Sequence, residues 1–221
     1  MALLAGSLMA ADSSPKDDVK NATATLGSQQ NYSWKTIIEF GLLGTSTSLD
    51  GKTEKNGFTT LAMSFNNSTT EAVMKGTNAV IRVPDNGWQS AAEALHSAGG
   101  SNPAKVLART AQNFKTPAVM AASLAAQMQD LKAGTNGISG NLTASGAEAL
   151  LGSNFPTATN RNVSVTFWIT NGQLVKYQWR ASGTVKLNGS NREMNRTATT
   201  EIKDVNTTKI DVAEDAKKKL P

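Results

Sequence analysis

The sequence predicts an α+β fold in which an antiparallel sheet carries helices on one face. Runs of alternating apolar and polar residues are joined by short polar turns such as Asn56-Gly57. Strands joined in this way run antiparallel, because parallel pairing needs long crossovers. The run 162–187 holds Asn171-Gly172 between two β-rich segments, which is the pattern of a two-residue hairpin. Residues 90–132, between these strand groups, instead show helical spacing and many alanines.

A first helix and a strand meander are predicted for the first third of the chain. Residues 16–28 place apolar side chains at helical spacing, and residues 32–40 alternate as a half-buried strand. Residues 41–48 form a loop or a weak strand. The remaining strands of the meander are expected at 57–65, 70–75 and 78–83. Turns are expected at Asp50-Gly51, at Asn56-Gly57 and at 66–68.

Three helices are predicted after residues 84–87 break the meander. The first covers 90–98 and ends at Gly99-Gly100. The second, 102–114, and the third, 116–132, both begin with a polar capping residue, Asn102 or Thr116, followed by proline. We therefore expect these two helices to start where the cap and the proline stand.

A second group of strands is predicted to complete the sheet. A glycine-rich loop at 134–140 leads to a strand at 138–143, and a short helix follows at 145–151. After the hairpin, strands are predicted at 192–201 and 201–212, and a last helix at 213–220. A regular hairpin places Trp168 opposite Val175 and puts Trp168, Tyr177 and Trp179 on the outer face, with Phe167 facing the helices. Because neither face is then cleanly polar, the alternatives are a bulge that shifts the register or partial cover on both faces.

Composition excludes several kinds of chemistry. The chain of 221 residues has no cysteine and one histidine, which removes thiolate catalysis, disulfides and most transition-metal sites. The net charge of +5 is scattered except for Lys217, Lys218 and Lys219, which favours a solvated surface with a basic tail. Trp168, Tyr177 and Trp179 beside basic residues resemble a stacking platform for nucleic acid, but cross-strand aromatic packing explains them better. We expect no nucleic-acid partner.

The first residues suggest export. Residues 1–11 form a short apolar run that ends in small residues, typical of the latter part of a secretory signal peptide. The alternative is a disordered tail. Leu4-Ala5-Gly6-Ser7 is similar to a lipoprotein processing site with serine in place of the cysteine that lipidation requires. We expect residues 1–15 to be such a remnant or tail, residues 16–221 to form one domain, and the protein to be periplasmic or otherwise exported.

Catalytic and cofactor sites are not expected. His96 has Glu93 three residues earlier on a predicted helix, but no nucleophile or metal partner can be named. Glu93, Asp130 and Glu148 are better explained as solvated helix residues or caps than as half of a carboxylate pair. The glycines of 134–146 lack the lysine and the spacing of a phosphate loop. We therefore predict no enzymatic activity, no cofactor and no metal.

The remaining candidate site is apolar. Inward residues of the predicted strands face apolar residues of the predicted helices, and they form either a filled core or a partly open cavity for an acyl chain, to which methionine side chains adapt well. The predicted ligand-binding residues are Trp34, Ile38, Phe40, Leu61, Met63, Phe65, Leu107, Phe114, Met120, Leu124, Met128, Phe167 and Ile169.

Residues 32–40 after a first helix, the Met- and Ala-rich helices, and the ending 199–220 (TTEIKDVNTTKIDVAEDAKKKL) resemble the periplasmic lipoprotein-carrier superfamily that includes LolA, LolB, LprG and LppX. The resemblance implies a curved antiparallel sheet forming an unclosed half barrel, with helices over its concave face and an apolar cavity for acyl chains. It implies a monomeric carrier of a lipid or lipoprotein, with a membrane-associated delivery partner. The alternative is a non-catalytic sensor or scaffold of the same fold, which binds a protein through the outer aromatic residues Trp168, Tyr177 and Trp179.

Overall fold

One antiparallel sheet organises the molecule. The computed structural model describes residues 14–41, 44–65, 68–83, 86–96, 102–151, 158–187 and 189–220. Its strands are β1 (Asn31–Phe40), β2 (Thr45–Glu54), β3 (Phe58–Phe65), β4 (Ser68–Lys75), β5 (Asn78–Val83), β6 (Gly87–Ser90), β7 (Met128–Gly134), β8 (Gly137–Leu142), β9 (Thr159–Thr170), β10 (Gln173–Leu187) and β11 (Ser190–Lys203). They pair in the order β6-β5-β4-β3-β2-β1-β11-β10-β9-β8-β7. The sheet does not close on itself, so the predicted open antiparallel sheet with helices is confirmed.

The helices are α1 (Pro15–Ser28), α2 (Ala91–His96), α3 (Pro103–Gln112), α4 (Pro117–Ala126), α5 (Ala144–Leu151) and α6 (Glu214–Lys219). Helix α3 packs on β3, β4 and β5, α1 packs on β9 and β10, and α4 lies against α1. The large core fills the space between these helices and the sheet. Among the described residues, no helix combines the length and the apolar character needed to cross a membrane.

Local sequence explains where α3 and α4 begin. The Asn102 side chain accepts a hydrogen bond from the Ala104 amide at 2.9 Å, and the Thr116 side chain accepts one from the Val119 amide at 3.5 Å. Each cap accepts a hydrogen bond from an amide that the helix itself leaves unpaired, and it stabilises the folded protein by about 1 kcal/mol. Proline follows at the first helical position, where its missing amide costs nothing. The two predicted helix starts are confirmed.

The end predicted for the third helix is wrong. Helix α4 stops at Ala126, and Met128–Gly134 forms β7, which pairs with β8. Met128 is therefore a strand residue. Pairing along the sheet edge overrides the helical spacing of Met128 and Leu131, and Asp130 takes a positive φ of 53° where the ladder shifts by a bulge.

Three further predictions of local structure are wrong. Asp50-Gly51 is not a turn, because both residues lie inside β2 and pair with β1. Residues 84–87 do not end the meander, since Gly87–Ser90 adds strand β6 to β5. The predicted strand at 201–212 ends at Lys203, and Asp204 and Asn206 then turn the chain with φ of 50° and 61°. The predicted turn at 66–68 lies largely outside the described residues.

The hairpin has the predicted turn but not the predicted register. Asn171 and Gly172 take φ of 51° and 74°, as a two-residue turn of this type requires. After Ile169 pairs with Leu174, a bulge at Val175 shifts the ladder. Such a bulge adds one unpaired residue to one strand and so changes which later side chains face the core. The alternative of a bulge, left open by the sequence, is the one found.

The bulge turns two aromatic side chains inward. Phe167 now lies opposite Tyr177, with ring centroids 6.2 Å apart, and Val165 lies opposite Trp179. Tyr177 and Trp179 are only 4% and 8% exposed. The predicted outer stripe of three aromatic residues is therefore wrong, and the protein-binding surface built from it loses two of its three members. Trp168 stays on the outer face, with the Lys176 ammonium 4.1 Å from its ring centroid.

A small second core covers part of the outer face. Val73 of β4 and Val80 of β5 point away from the main core and pack with Val212 and Ala216. The chain after β11 thus folds back over the outer side of the meander, where α6 contacts β6. The helices α1 to α5 and the C-terminal segment therefore lie on opposite faces of the sheet.

Candidate ligand-binding cavity

A cavity of about 880 Å³ lies between the sheet and helices α3, α4 and α5. This volume is within the range of small-molecule sites, roughly 300–1,000 Å³. Its sheet side includes Ile38 and Phe40 of β1 and Arg196 of β11. Its remaining described lining residues are Val106, Arg109, Thr110, Gln112, Asn113, Lys115, Met120, Ser123, Leu124, Gln127, Leu142, Gly146, Ala149 and Leu150. Apolar side chains from both sides of the fold thus meet across an open space.

Four of the predicted ligand-binding residues line this cavity: Ile38, Phe40, Met120 and Leu124. The other described members lie elsewhere. Trp34, Leu61, Met63, Leu107, Met128 and Phe167 are buried in the main core, and Phe114 and Ile169 pack against it. The side chain of Phe65 lies outside the described part of the chain. The interior is therefore filled near the middle of the sheet and open beside one end of β1. Ligand binding by the full set of thirteen residues stays a prediction.

The filled part is centred on Trp34. Its indole stacks on Phe114, with ring centroids 5.9 Å apart and planes 19° from parallel. It also covers Gly51 on the neighbouring strand, where a Cβ atom would lie 2.7 Å from the indole Cη2 and closer still to Cζ2. Gly51 is thus a glycine because a ring approaches the backbone. The stack of Trp34 on Phe114 positions Phe114, which lies in the connection between α3 and α4.

Helix α4 is attached to the sheet by a buried tyrosine. The Tyr32 hydroxyl oxygen accepts a hydrogen bond from the Ala118 amide at 3.3 Å, at the first turn of α4. Burial raises the pKa of the Tyr32 phenol, and the Ala118 amide opposes that shift only in part. Residues four apart lie on one face of a helix, so fixing this end of α4 directs Met120 and Leu124 to the same side, where the cavity lies.

Arg196 is a functional candidate that the sequence-based prediction missed. On β11 it shares the inward face with the buried residues Met194 and Ala198. Its guanidinium carbon lies 5.1 Å from the Phe40 ring centroid and 5.3 Å from that of Trp179. Burial lowers the pKa of this guanidinium, although arginine keeps its charge in proteins. The alternation of β11 carried the signal, because it places an arginine between two apolar inward positions.

A second, larger cavity of about 1030 Å³ lies on the outer face, between strands β1 to β6 and the C-terminal segment. Its described lining includes Lys35, Lys52, Arg82 and Lys203 together with Asp50, Glu71, Asp211, Glu214 and Asp215. Lys35 pairs with Asp50 at 3.2 Å, and the side chains of both residues are more than 40% exposed. Mixed, mutually paired charges in contact with water form a solvated groove. The candidate ligand site is therefore the inner cavity, where Ile38 and Phe40 of the sheet face Met120 and Leu124 of α4 and the described lining contains no carboxylate.

The hypothetical catalytic pair His96–Glu93 is not formed. The Glu93 carboxylate accepts hydrogen bonds from the amide and the hydroxyl of Ser90, both at 2.8 Å. These bonds lower the pKa of the Glu93 carboxyl and cap the start of α2. His96 is exposed, with Nδ1 2.7 Å from the Ala92 carbonyl oxygen. Within the described ranges, no cluster of three or more potential metal ligands occurs.

Comparison with known proteins finds distant similarity to solved structures. No family model and no curated protein sequence matches the chain. LprF from Mycobacterium bovis is similar at a TM-score of 0.43 and 12% identity, over 91% of this chain and 97% of LprF. A LolA superfamily protein from Nitrosomonas europaea is similar at a TM-score of 0.36 and 7% identity, over 90% of this chain and 96% of its own.

A DUF1329 family protein from Desulfovibrio piger gives a TM-score of 0.35 and 8% identity, over 90% of this chain and 94% of its own.

Proposed function

We propose that the protein is a non-catalytic carrier that holds an acyl chain of a lipid or lipoprotein in the cavity between the sheet and helices α3, α4 and α5. The observation that carries this proposal is the cavity of about 880 Å³ where Ile38 and Phe40 face Met120 and Leu124. A carrier must bind a long apolar group reversibly and shield it from water. Apolar walls supplied by two different layers of the fold serve that purpose.

The energy of such binding is sufficient only if most of the chain is buried. Burying a sixteen-carbon chain contributes roughly 13 kcal/mol, at about 0.8 kcal/mol for each carbon. Lost translational and rotational freedom costs about 4–15 kcal/mol. The balance favours a long chain over a short one, and it needs no catalytic or metal group. Met120, which is partly buried at the cavity wall, can adapt its flexible side chain to the bound chain.

The proposal includes the cellular setting. We propose an exported protein whose residues 16–221 act as one monomeric domain and deliver the ligand to a membrane-associated partner. The apolar run of residues 1–11 supports export. Light scattering coupled to size-exclusion chromatography tests the monomer, since a stable dimer would double the measured mass.

Two substitutions in neighbouring positions of α4 test the carrier directly. Met120→Trp places a bulky ring in the cavity, whereas Val119→Trp places the same ring on a side chain that is 53% exposed and lies outside the cavity lining. Binding of a fluorescent long-chain fatty acid is measured for both variants and the wild type. We expect Met120→Trp to weaken binding at least about tenfold, which corresponds to two lost methylene burials, and Val119→Trp to leave it unchanged.

Native mass spectrometry of the purified protein supplies the second measurement. Wild-type protein should carry a lipid-sized adduct that delipidation removes and added fatty acid restores. Identical masses before and after delipidation, together with no probe binding by the wild type, would contradict the carrier. Equal loss of binding in Met120→Trp and Val119→Trp would place the bound probe outside this cavity.

A further inference from the structure

We propose that the cavity selects an anionic amphiphile, and that Arg196 binds the oxyanion of its head group, a carboxylate or a phosphate, while Arg109 and Lys115 add positive charge from the helical side. This inference rests on the proposed function, because it names the class of lipid that the same cavity takes.

The state of the Arg196 side chain is the first observation. Its Nε atom is buried and has no hydrogen-bond partner, and among the described residues no carboxylate pairs with its guanidinium. The rings of Phe40 and Trp179 lie 5.1 and 5.3 Å from the guanidinium carbon and hold it in place. A buried charged donor without a partner is costly. A ligand oxyanion on the cavity side of the guanidinium would give this charge a partner, and arginine is suited to bind carboxylate or phosphate through parallel hydrogen bonds.

The sign of the charge around the cavity is the second observation. Its described lining contains Arg109, Lys115 and Arg196 and no aspartate or glutamate. The outer groove differs, since its described lining mixes four cations with five carboxylates. The inner cavity therefore presents charge of one sign beside low-dielectric walls, which raises the local concentration of anions. Arg109 and Lys115 are exposed and so stand where a head group enters.

The arrangement also separates the two ends of an amphiphile. Arg196 and Phe40 lie on neighbouring strands as a direct pair of the β1–β11 ladder. Ile38, Met120 and Leu124 line the same space without charge. An anion at Arg196 can thus extend its chain along the apolar side chains. A ligand that lacked the anion would fill the apolar part and leave the guanidinium unpaired.

A pair of ligands with the same chain tests the inference. Laurate and dodecanol differ in head-group charge, and titration calorimetry with the full chain measures the affinity of laurate below its micelle concentration and of dodecanol below its solubility limit. We expect wild-type protein to prefer laurate by roughly tenfold or more, the factor that one charge-assisted hydrogen bond supplies. In Arg196→Gln, laurate affinity should fall to the level of dodecanol, whose own affinity stays the same. Arg180→Gln is the control, because it removes one positive charge from an exposed position of the neighbouring strand β10.

The other outcomes are equally decisive. If neither ligand binds the wild type, the carrier fails. If both bind with equal affinity, or if Arg196→Gln keeps the preference for laurate, the carrier stands and the head-group inference is wrong, because Arg196 then serves only to pack against its two rings. A thermal melt verifies that Arg196→Gln folds. If it does not fold, the exposed double variant Arg109→Gln/Lys115→Gln is used, and it should lower the laurate preference several-fold at low salt, with a smaller decrease at high salt.

Two further ligands distinguish the source of the oxyanion. A single-chain lysophosphatidic acid should bind at least as tightly as laurate and be weakened in Arg196→Gln. Inorganic phosphate alone should not displace laurate at millimolar concentration, because it lacks the chain. Displacement by inorganic phosphate at equal affinity would overturn the assignment to an amphiphile.

Discussion

The contact between Gly51 and Trp34 predicts a large effect of one methyl group. In Gly51→Ala the new Cβ atom would lie 2.7 Å from the indole Cη2 and nearer to two other ring atoms. Trp34 is 3% exposed and stacks on Phe114, so moving the ring away from the new methyl group disturbs a packed contact. The backbone of Gly51 is not in the left-handed region. The predicted penalty therefore comes from overpacking alone.

The magnitude follows from similar overpacked cores. Forcing an extra methyl group into a packed interior costs about 1–3 kcal/mol. In a domain of this size, each kcal/mol shifts the melting temperature by about 2–4 °C. We therefore expect Gly51→Ala to melt roughly 2–12 °C below the wild type. Because the indole also positions Phe114, the variant should bind an acyl probe more weakly.

Thermal unfolding followed by circular dichroism measures this effect, and Gly27→Ala is the control. Gly27 lies in α1, where a Cβ atom would meet only the Ala118 Cβ at an ordinary 4.0 Å. Replacing a helical glycine by alanine should raise stability by about 0.5–1 kcal/mol, so the two substitutions should shift the melting temperature in opposite directions. Gly51→Ala should cost much less in a Trp34→Phe background, which removes the colliding ring. An unchanged melting temperature, or the same cost in both backgrounds, would refute the account of this contact.

Three more predictions concern the sheet and the helices. Tyr32→Phe should lower the unfolding free energy in urea by about 1 kcal/mol, because the Ala118 amide loses its acceptor; an unchanged midpoint would show that the bond contributes nothing. Deleting Val175 should keep the fold, because it removes only the bulged residue and preserves the pairs that Tyr177 and Trp179 make with β9. Hydrogen exchange of the β10 amides should therefore stay slow. Fast exchange would show that the fold requires the bulge. His96→Ala should match the wild type in an esterase screen, since the imidazole contacts a backbone carbonyl and no nucleophile, whereas loss of a measurable wild-type activity would restore the catalytic hypothesis.

The sequence predicted best where a short-range pattern has one structural solution. Asn102 and Thr116, each followed by proline, mark helix starts because the cap and the ring act within one turn. Asn171-Gly172 specifies its turn for the same reason, since few residues accept a positive φ at both positions. These local signals, together with alternation along β1, were enough to predict the antiparallel sheet with helices.

Predictions failed where a distant contact decides the structure. Asp50-Gly51 has the composition of a turn, but the approach of Trp34 from the neighbouring strand explains the glycine. The bulge at Val175 shifts the faces of all later residues of β10 by one. The mixed faces of the predicted hairpin left a bulge open as an alternative, but no residue marks its position. Met128 fits the helical spacing before it, yet it pairs with β8 as a residue of the edge strand β7.

The candidate site shows the same limit. Ile38, Phe40, Met120 and Leu124 were predicted as inward residues, and they meet at the cavity. Alternation and helical spacing could not distinguish them from Leu61 or Phe167, which fill the packed core. That difference depends on how closely the helices approach each part of the sheet. Arg196 was not predicted, because an inward arginine departs from the apolar pattern that marks the core-facing positions of a strand.

The position of a bound chain tests the central claim most directly. A photoactivatable fatty acid with its reactive group near the middle of the chain is bound to the full protein, irradiated and mapped by peptide mass spectrometry. The account predicts crosslinks to α4 at Met120 and Leu124 and to β1 at Ile38 and Phe40, the residues that line the inner cavity. Crosslinks concentrated on Trp88, Asp211 and their neighbours, in the outer groove, would contradict it.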